Sequence, residues 1–228
     1  MPHCKVFFSV ITAVVVMLAA SSALRAQGPA MGKADVVRDY VKRSDSAYGW
    51  NIVRKRQTNG ITAYVIQLTS QRWRTKADVN RPVWKHWLLV AQPEDVEFDT
   101  AFLMIGGGSN RGKTPVGPSE TIARLAARTK SVVAELKMVP NQPLIFHGDG
   151  VPRKEDDLIG YAWNQFLETG DVTWLPRLPM VKSAVRAMDC VQELMANQEP
   201  ADVTVNGFVV GGASKRGWTT WMTAVADD

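Results

Sequence analysis

The stretch Val209-Val210-Gly211-Gly212-Ala213-Ser214-Lys215-Arg216-Gly217-Trp218 is where covalent chemistry is best accommodated in this chain. An apolar run leads into Gly-Ala-Ser and then straight into a helical pattern. A serine in that context sits on a tight strand-to-helix turn with its hydroxyl projecting above a sheet, where it can act as a nucleophile. Small neighbours are required because strand and helix nearly touch at such a turn. The backbone N–H of the next residue, Lys215, is placed to help hold an oxyanion, aided by the positive end of the helix. The spacing departs from the common G-x-S-x-G. Arg216 occupies the place of the second glycine, and Gly217 follows one position later.

A serine of this kind needs a second oxyanion donor, supplied in such enzymes by the loop after an earlier sheet strand. Gly106-Gly107-Gly108-Ser109 follows the apolar run Ala101–Ile105, so the N–H groups of Gly107 and Gly108 are the candidates. The same loop satisfies a phosphate-loop string, from Gly107 through Gly112-Lys113-Thr114. A phosphate loop must open a helix at once so that its N–H groups converge on phosphate. Here Pro115, Gly117 and Pro118 follow and break the continuation. The nucleotide reading is therefore set aside, and no cofactor is expected.

Other polar clusters read as structural. Glu155-Asp156-Asp157 suits a helix N-terminus, where negative charge is favourable. His147 precedes the serine in the chain, whereas serine hydrolases of this type place acid and histidine after it. Cys190, His86 and His147 share no ligand spacing, so no metal is expected. Cys190 lies off the apolar stripe of its helix beside Asp189 and Glu193, which disfavour a thiolate, so it reads as a small filler. Trp163, Phe166 and Trp174 read as core or cleft lining.

The elements that must position the serine follow from periodicity. Asn51–Arg56 and Ile61–Leu68 flank Asn59-Gly60, the strongest short hairpin signal. Val83–Val90 continues an antiparallel opening. Then come strand Ala101–Ile105, a helix marked by Ile122, Leu125, Ala126 and Thr129, and strand Ser131–Met138. Helices over Leu158–Leu167 and Met180–Ala196, strand Val203–Val210 and helix Arg216–Val225 complete the chain, after a short helix around Val36–Val41. Alternating strands and helices after an antiparallel start predict an α/β sheet with helices on both faces. The order agrees with the first half of an α/β-hydrolase-like sheet.

The 228 residues are 46% hydrophobic and 21% charged, with a mean hydropathy of −0.12, which excludes a disordered tail and a multi-span membrane protein. Net charge is +5, but basic residues alternate with acids, so no nucleic-acid footprint emerges. Lys5, the apolar run Val6–Ala20 and the small residues before Ala26 read as an export signal over 1–26. The run is shorter than the roughly 20 residues a spanning helix needs, so no stable membrane span is expected after cleavage. The mature part, 27–228, is then secreted or periplasmic, with Cys190 as its one cysteine and no internal disulfide.

Five segments together resemble the PhoPQ-activated pathogenicity-related protein family, which includes the autocrine proliferation repressor-like proteins. They are Val139-Pro140-Asn141-Gln142-Pro143-Leu144, Lys154-Glu155-Asp156-Asp157, Leu178-Pro179-Met180-Val181-Lys182, Arg186-Ala187-Met188-Asp189 and the run from Gly212 to Trp221. The resemblance covers about residues 35–228. It implies an exported protein of α/β-hydrolase-like fold linked to bacterial virulence or envelope response, without defining a substrate. Family members are longer, so 27–228 is expected to be an incomplete domain that stops after the helix following Ser214. The acid and histidine of a triad would lie beyond it. Two functions fit. One is a serine hydrolase acting on an ester or peptide-like substrate, silent in this shortened chain. The other is a non-catalytic secreted binding or signalling protein on the same scaffold.

Overall fold

Six strands form one mixed sheet in the order β1-β2-β3-β5-β4-β6. The computed structural model describes residues 35–197 and 203–227. The export signal expected over 1–26 lies outside the described residues. Strands β1 (Gly49–Thr58), β2 (Ile61–Arg72) and β3 (Val83–Pro93) form an antiparallel meander, and β3 also runs antiparallel to β5 (Val133–Leu136). Strands β4 (Thr100–Ile105) and β6 (Gly207–Gly212) are parallel to one another, and β5 is parallel to β4. The β1–β2 turn has Asn59 and Gly60 both at positive φ (52° and 73°), the backbone that Asn-Gly adopts in a tight hairpin.

The helices are α1 (Asp35–Lys42), α2 (Glu120–Thr129), α3 (Glu155–Thr169), α4 (Arg177–Ala196) and α5 (Lys215–Ala226). Ile122 and Ala126 of α2 pack with Ala91 and Val133, and with Phe102 and Met104, on one face of the sheet. Alternate residues of a strand face opposite sides, so Leu103, Ala134 and Leu136 present the other face, all fully buried. Each of the two leucines contributes about 1.5–3 kcal/mol when removed from water. Helix α4 is buried along nearly its whole length, and α5 packs against it and against β6. A second apolar centre gathers Trp73, Trp84, Phe146 and Trp174, with Trp73 edge-on to the other three at 5.5–6.2 Å.

Element types agree with the periodicity throughout, whereas boundaries move. The strand expected at Val203–Val210 occupies Gly207–Gly212, because β4 (Thr100–Ile105) supplies register partners only from Gly207 to Gly212, and Val203–Asn206 lead in as loop. The strand expected from Ser131 to Met138 is Val133–Leu136, since Lys137 and Met138 leave the ladder to bond with Trp87 and Gly107. Trp174 is core, while Trp163 stands at the surface, edge-on to Phe166. No helix of the described residues is long and apolar enough to cross a membrane.

Candidate active site

Ile105 ends β4 and is the register partner of Gly212, which ends β6. The glycine loop and the Ser214 turn therefore leave the sheet side by side, at the carboxyl ends of neighbouring parallel strands. In open α/β sheets this crevice is where ligands bind. Ser214 itself has φ 54° and ψ −124°, a backbone that L-residues populate only when surrounding structure over-determines it. Its side chain is exposed and makes no capping bond to α5.

Close packing imposes the turn. A Cβ on Gly212 would stand 2.8 Å from the backbone carbonyl carbon and oxygen of Arg216, and one on Gly217 would stand 3.0 Å from the Gly212 oxygen. Strand and helix thus touch backbone to backbone, and Gly217 takes up the close approach. That frees the Arg216 position for a long side chain.

Arg216 uses this freedom to reach across to the glycine loop. Its Nε donates to the Val139 carbonyl at 2.6 Å, and its two Nη groups donate to the two Glu155 oxygens at 2.9 and 2.6 Å. A Cβ on Gly107 would fall 2.8 Å from Arg216 Nη2, so a larger residue there would have to push the guanidinium aside. Lys215 Nζ pairs with Glu155 and Asp156, each at 2.8 Å. Gln142 closes the ring: its amide donates to Glu155 Oε1 and to the Gly108 carbonyl, and its oxygen accepts from the Glu155 N–H. Partial burial works against ionisation of Glu155. The hydrogen bonds from Arg216, Lys215 and Gln142 outweigh it and hold the carboxyl down at about 2.

The loop's carbonyls are all occupied. Gly106 O accepts from Val139 N, Gly107 O from Met138 N, and Gly108 O from Gln142. Its amides are not. Among the described residues, the N–H groups of Gly107, Gly108 and Lys215 have no acceptor, so they stay free to donate to a ligand oxygen. The structure thus brings together the β4 loop and the Ser214 turn that the sequence singled out.

Glu155, read from the sequence as a helix-end acid, begins α3 as expected but sends its carboxylate to Lys215 and Arg216 instead of capping its own helix. Nothing local in the sequence joins residues sixty positions apart. The basic pair beside Ser214 and the acidic run are the one compositional hint. Arg177 is a further residue that the sequence did not mark. It is buried, donates to the Lys215 carbonyl at 3.1 Å, and lies 4.5 Å from the Trp218 ring, bracing the first turn of α5.

Neither described histidine serves Ser214. His86 is fully buried between Ser70 Oγ at 3.0 Å and the Lys137 carbonyl at 3.2 Å, and burial lowers its pKa to about 4. His147 bonds Tyr161 Oη at 2.9 Å and faces Asp78. Cys190 is fully buried, and burial, with Glu193 and Asp189 nearby, pushes its thiol well up. After the phosphate-loop string the backbone stays irregular until α2 opens at Glu120, capped by Ser119.

Sheet order, helices and the crevice at the strand ends define an α/β-hydrolase-like protein. An acetyl xylan esterase from Paenibacillus sp. R4 shares this fold, at 14% identity and a TM-score of 0.50 over 85% of this chain and 54% of that one. A glucuronoyl esterase from Solibacter usitatus superposes at a TM-score of 0.48 and 13% identity, over 86% of this chain and 55% of its own. The chain belongs to the PhoPQ-activated pathogenicity-related protein family, which it matches over residues 37–228. It is 42% identical over 191 residues to autocrine proliferation repressor protein A of Dictyostelium discoideum, covering 83% of this chain. The chain spans 38% of the length of that relative.

Proposed function

We propose that this chain carries the nucleophile half of a serine hydrolase acting on ester or peptide-like acyl groups. The observation that carries the reading is the strained Ser214 turn, set beside three free N–H groups at the carboxyl ends of β4 and β6. In this reading Ser214 Oγ attacks the acyl carbon, and the carbonyl oxygen takes up the negative charge. The N–H groups of Lys215, Gly107 and Gly108 receive that oxyanion, and collapse of the adduct expels the alcohol or amine. Lys215 and Arg216 keep their side chains on Glu155, so their role is to hold the donor loop against the turn. An unassisted serine hydroxyl is a weak nucleophile. We assign its base and acid to the part of longer family members that this chain does not span. Export, with removal of residues 1–26, is part of the same proposal and rests on the leader sequence.

The second reading is a secreted, non-catalytic regulator on this scaffold. The name of the Dictyostelium relative favours it. Fluorophosphonate labelling of a full-length family member carrying this sequence separates the two. A covalent adduct on Ser214, absent in Ser214→Ala, supports the hydrolase; a folded protein with no adduct supports the regulator.

A further inference from the structure

We propose that the basic pocket between the end of β2 and the start of β3 binds the carboxylates of an acidic oligosaccharide, as a substrate subsite of the hydrolase reading above. The pocket encloses about 480 Å³, within the roughly 300–1,000 Å³ usual for small-molecule sites. Arg72, Lys76, Arg81 and Lys85 line it, and no carboxylate does. Among the described residues none of these four side chains makes an ion pair. The nearby Asp45 accepts the Arg72 backbone N–H at 2.7 Å instead. Four unneutralised cations around one concavity focus a positive potential and draw in an anion. They are strung along a strand end, a turn and a strand start, so they suit charges repeated along a chain better than a single compact anion.

One feature beside the cations suits a sugar. Trp87 lies two residues from Lys85 on the same face of β3, about 7 Å along the strand. This sets an aromatic ring, on which a pyranose face can stack, beside a cation. Asn110 fixes the opposite part of the wall. Its Nδ2 donates to Asn141 Oδ1 at 3.1 Å and to the Pro143 carbonyl at 3.2 Å, and these two acceptors fix the orientation of the amide.

The pocket is also joined to the proposed oxyanion donors. Asn110 and Gly112 of its wall belong to the loop that begins Gly106-Gly107-Gly108, and the Asn110 N–H donates to the Gln142 carbonyl at 2.6 Å. Gln142 in turn holds Gly108. Asn141, whose amide donates to the Lys85 carbonyl, links the loop to β3. Asn110 of the pocket wall is two residues along the chain from Gly108.

The test is calorimetric titration of the 228-residue chain with digalacturonate, cellobiose and inorganic phosphate. Digalacturonate is expected to bind and to weaken as salt rises, while cellobiose and phosphate do not bind at the same concentrations. The surface substitutions Arg81→Gln and Lys85→Gln should each cost about tenfold in affinity at unchanged melting temperature. Equal affinity for phosphate, affinity unchanged by Arg81→Gln and Lys85→Gln, or no binding of digalacturonate overturns the subsite. Ser214→Ala should leave the titration unchanged. Binding without any fluorophosphonate adduct on Ser214 then sinks the hydrolase reading alone, and an adduct without binding sinks the subsite alone.

Discussion

Arg216 and Glu155, sixty-one positions apart, form a two-pronged ion pair at 2.9 and 2.6 Å that ties the helix after Ser214 to the start of α3. The guanidinium is 13% exposed and the carboxylate 40%, so the pair lies between the surface and buried regimes. Glu155→Gln keeps the shape and removes the charge from a site with two cations. A loss of about 1–2 kcal/mol is expected after allowing for solvent screening, read as a lower urea midpoint at unchanged m-value. An unchanged midpoint would show that water screens the pair completely.

Acid stability should fall in two stages. His86 has a folded pKa of about 4 against an ordinary 6.5, so it is neutral in the core and binds its proton more readily when unfolded. Its contribution is present above 6.5 and is lost as pH falls from there towards 4, on the order of 3 kcal/mol in all. Glu155, held at about 2 against an ordinary 4.5, keeps its contribution above 4.5 and loses it below. Urea unfolding at steps from pH 7 to pH 3 should show both slopes, and His86→Asn should flatten only the upper one.

Gly212→Ala and Gly107→Ala should differ although the added carbon meets an atom at the same 2.8 Å. At Gly212 the obstacle is the Arg216 backbone, which cannot withdraw without separating α5 from β6. At Gly107 it is the end of the Arg216 side chain. Overpacking against backbone is expected to cost about 1–3 kcal/mol, and the Gly107 change less. Thermal melts of the two variants side by side decide the order.

Ser214→Gly should stabilise the protein by about 1 kcal/mol, because glycine adopts φ 54° with ψ −124° without the strain that serine bears. Ser214→Ala keeps the strain and should be near neutral. Both remove any fluorophosphonate adduct. If Ser214→Gly destabilises, the turn is not strained.

Cys190 should be inert in the folded protein. In a Cys4→Ser background, a thiol-specific reagent is expected to react only above the urea midpoint, since the sulfur is fully buried and its thiolate disfavoured. Rapid reaction in native buffer would show that α4 opens locally.

Much of the scaffold was legible in the sequence because its signals are local. The Asn59-Gly60 turn, the apolar runs of β3 and β4 and the helical spacing of Ile122 and Ala126 each depend on neighbours a few residues away. The Ser214 turn was legible for the same reason, as small residues between an apolar run and a helical pattern. Strand ends were less so. Where β6 begins depends on which residues of β4 stand opposite, a pairing between segments a hundred residues apart.

What the sequence by itself determined is the kind of element at each place, the family, and a serine at a strand-to-helix turn after a glycine loop. Tertiary structure alone decided that Ile105 and Gly212 pair, so that the loop and the turn meet. It also decided that Arg216, a departure from the usual glycine, reaches Glu155 under Gly107, and that Arg72, Lys76, Arg81 and Lys85 surround one pocket. Helix and strand preferences come from backbone and neighbour interactions within a few residues. Ion pairs and close approaches depend on which distant segments the folded core sets side by side.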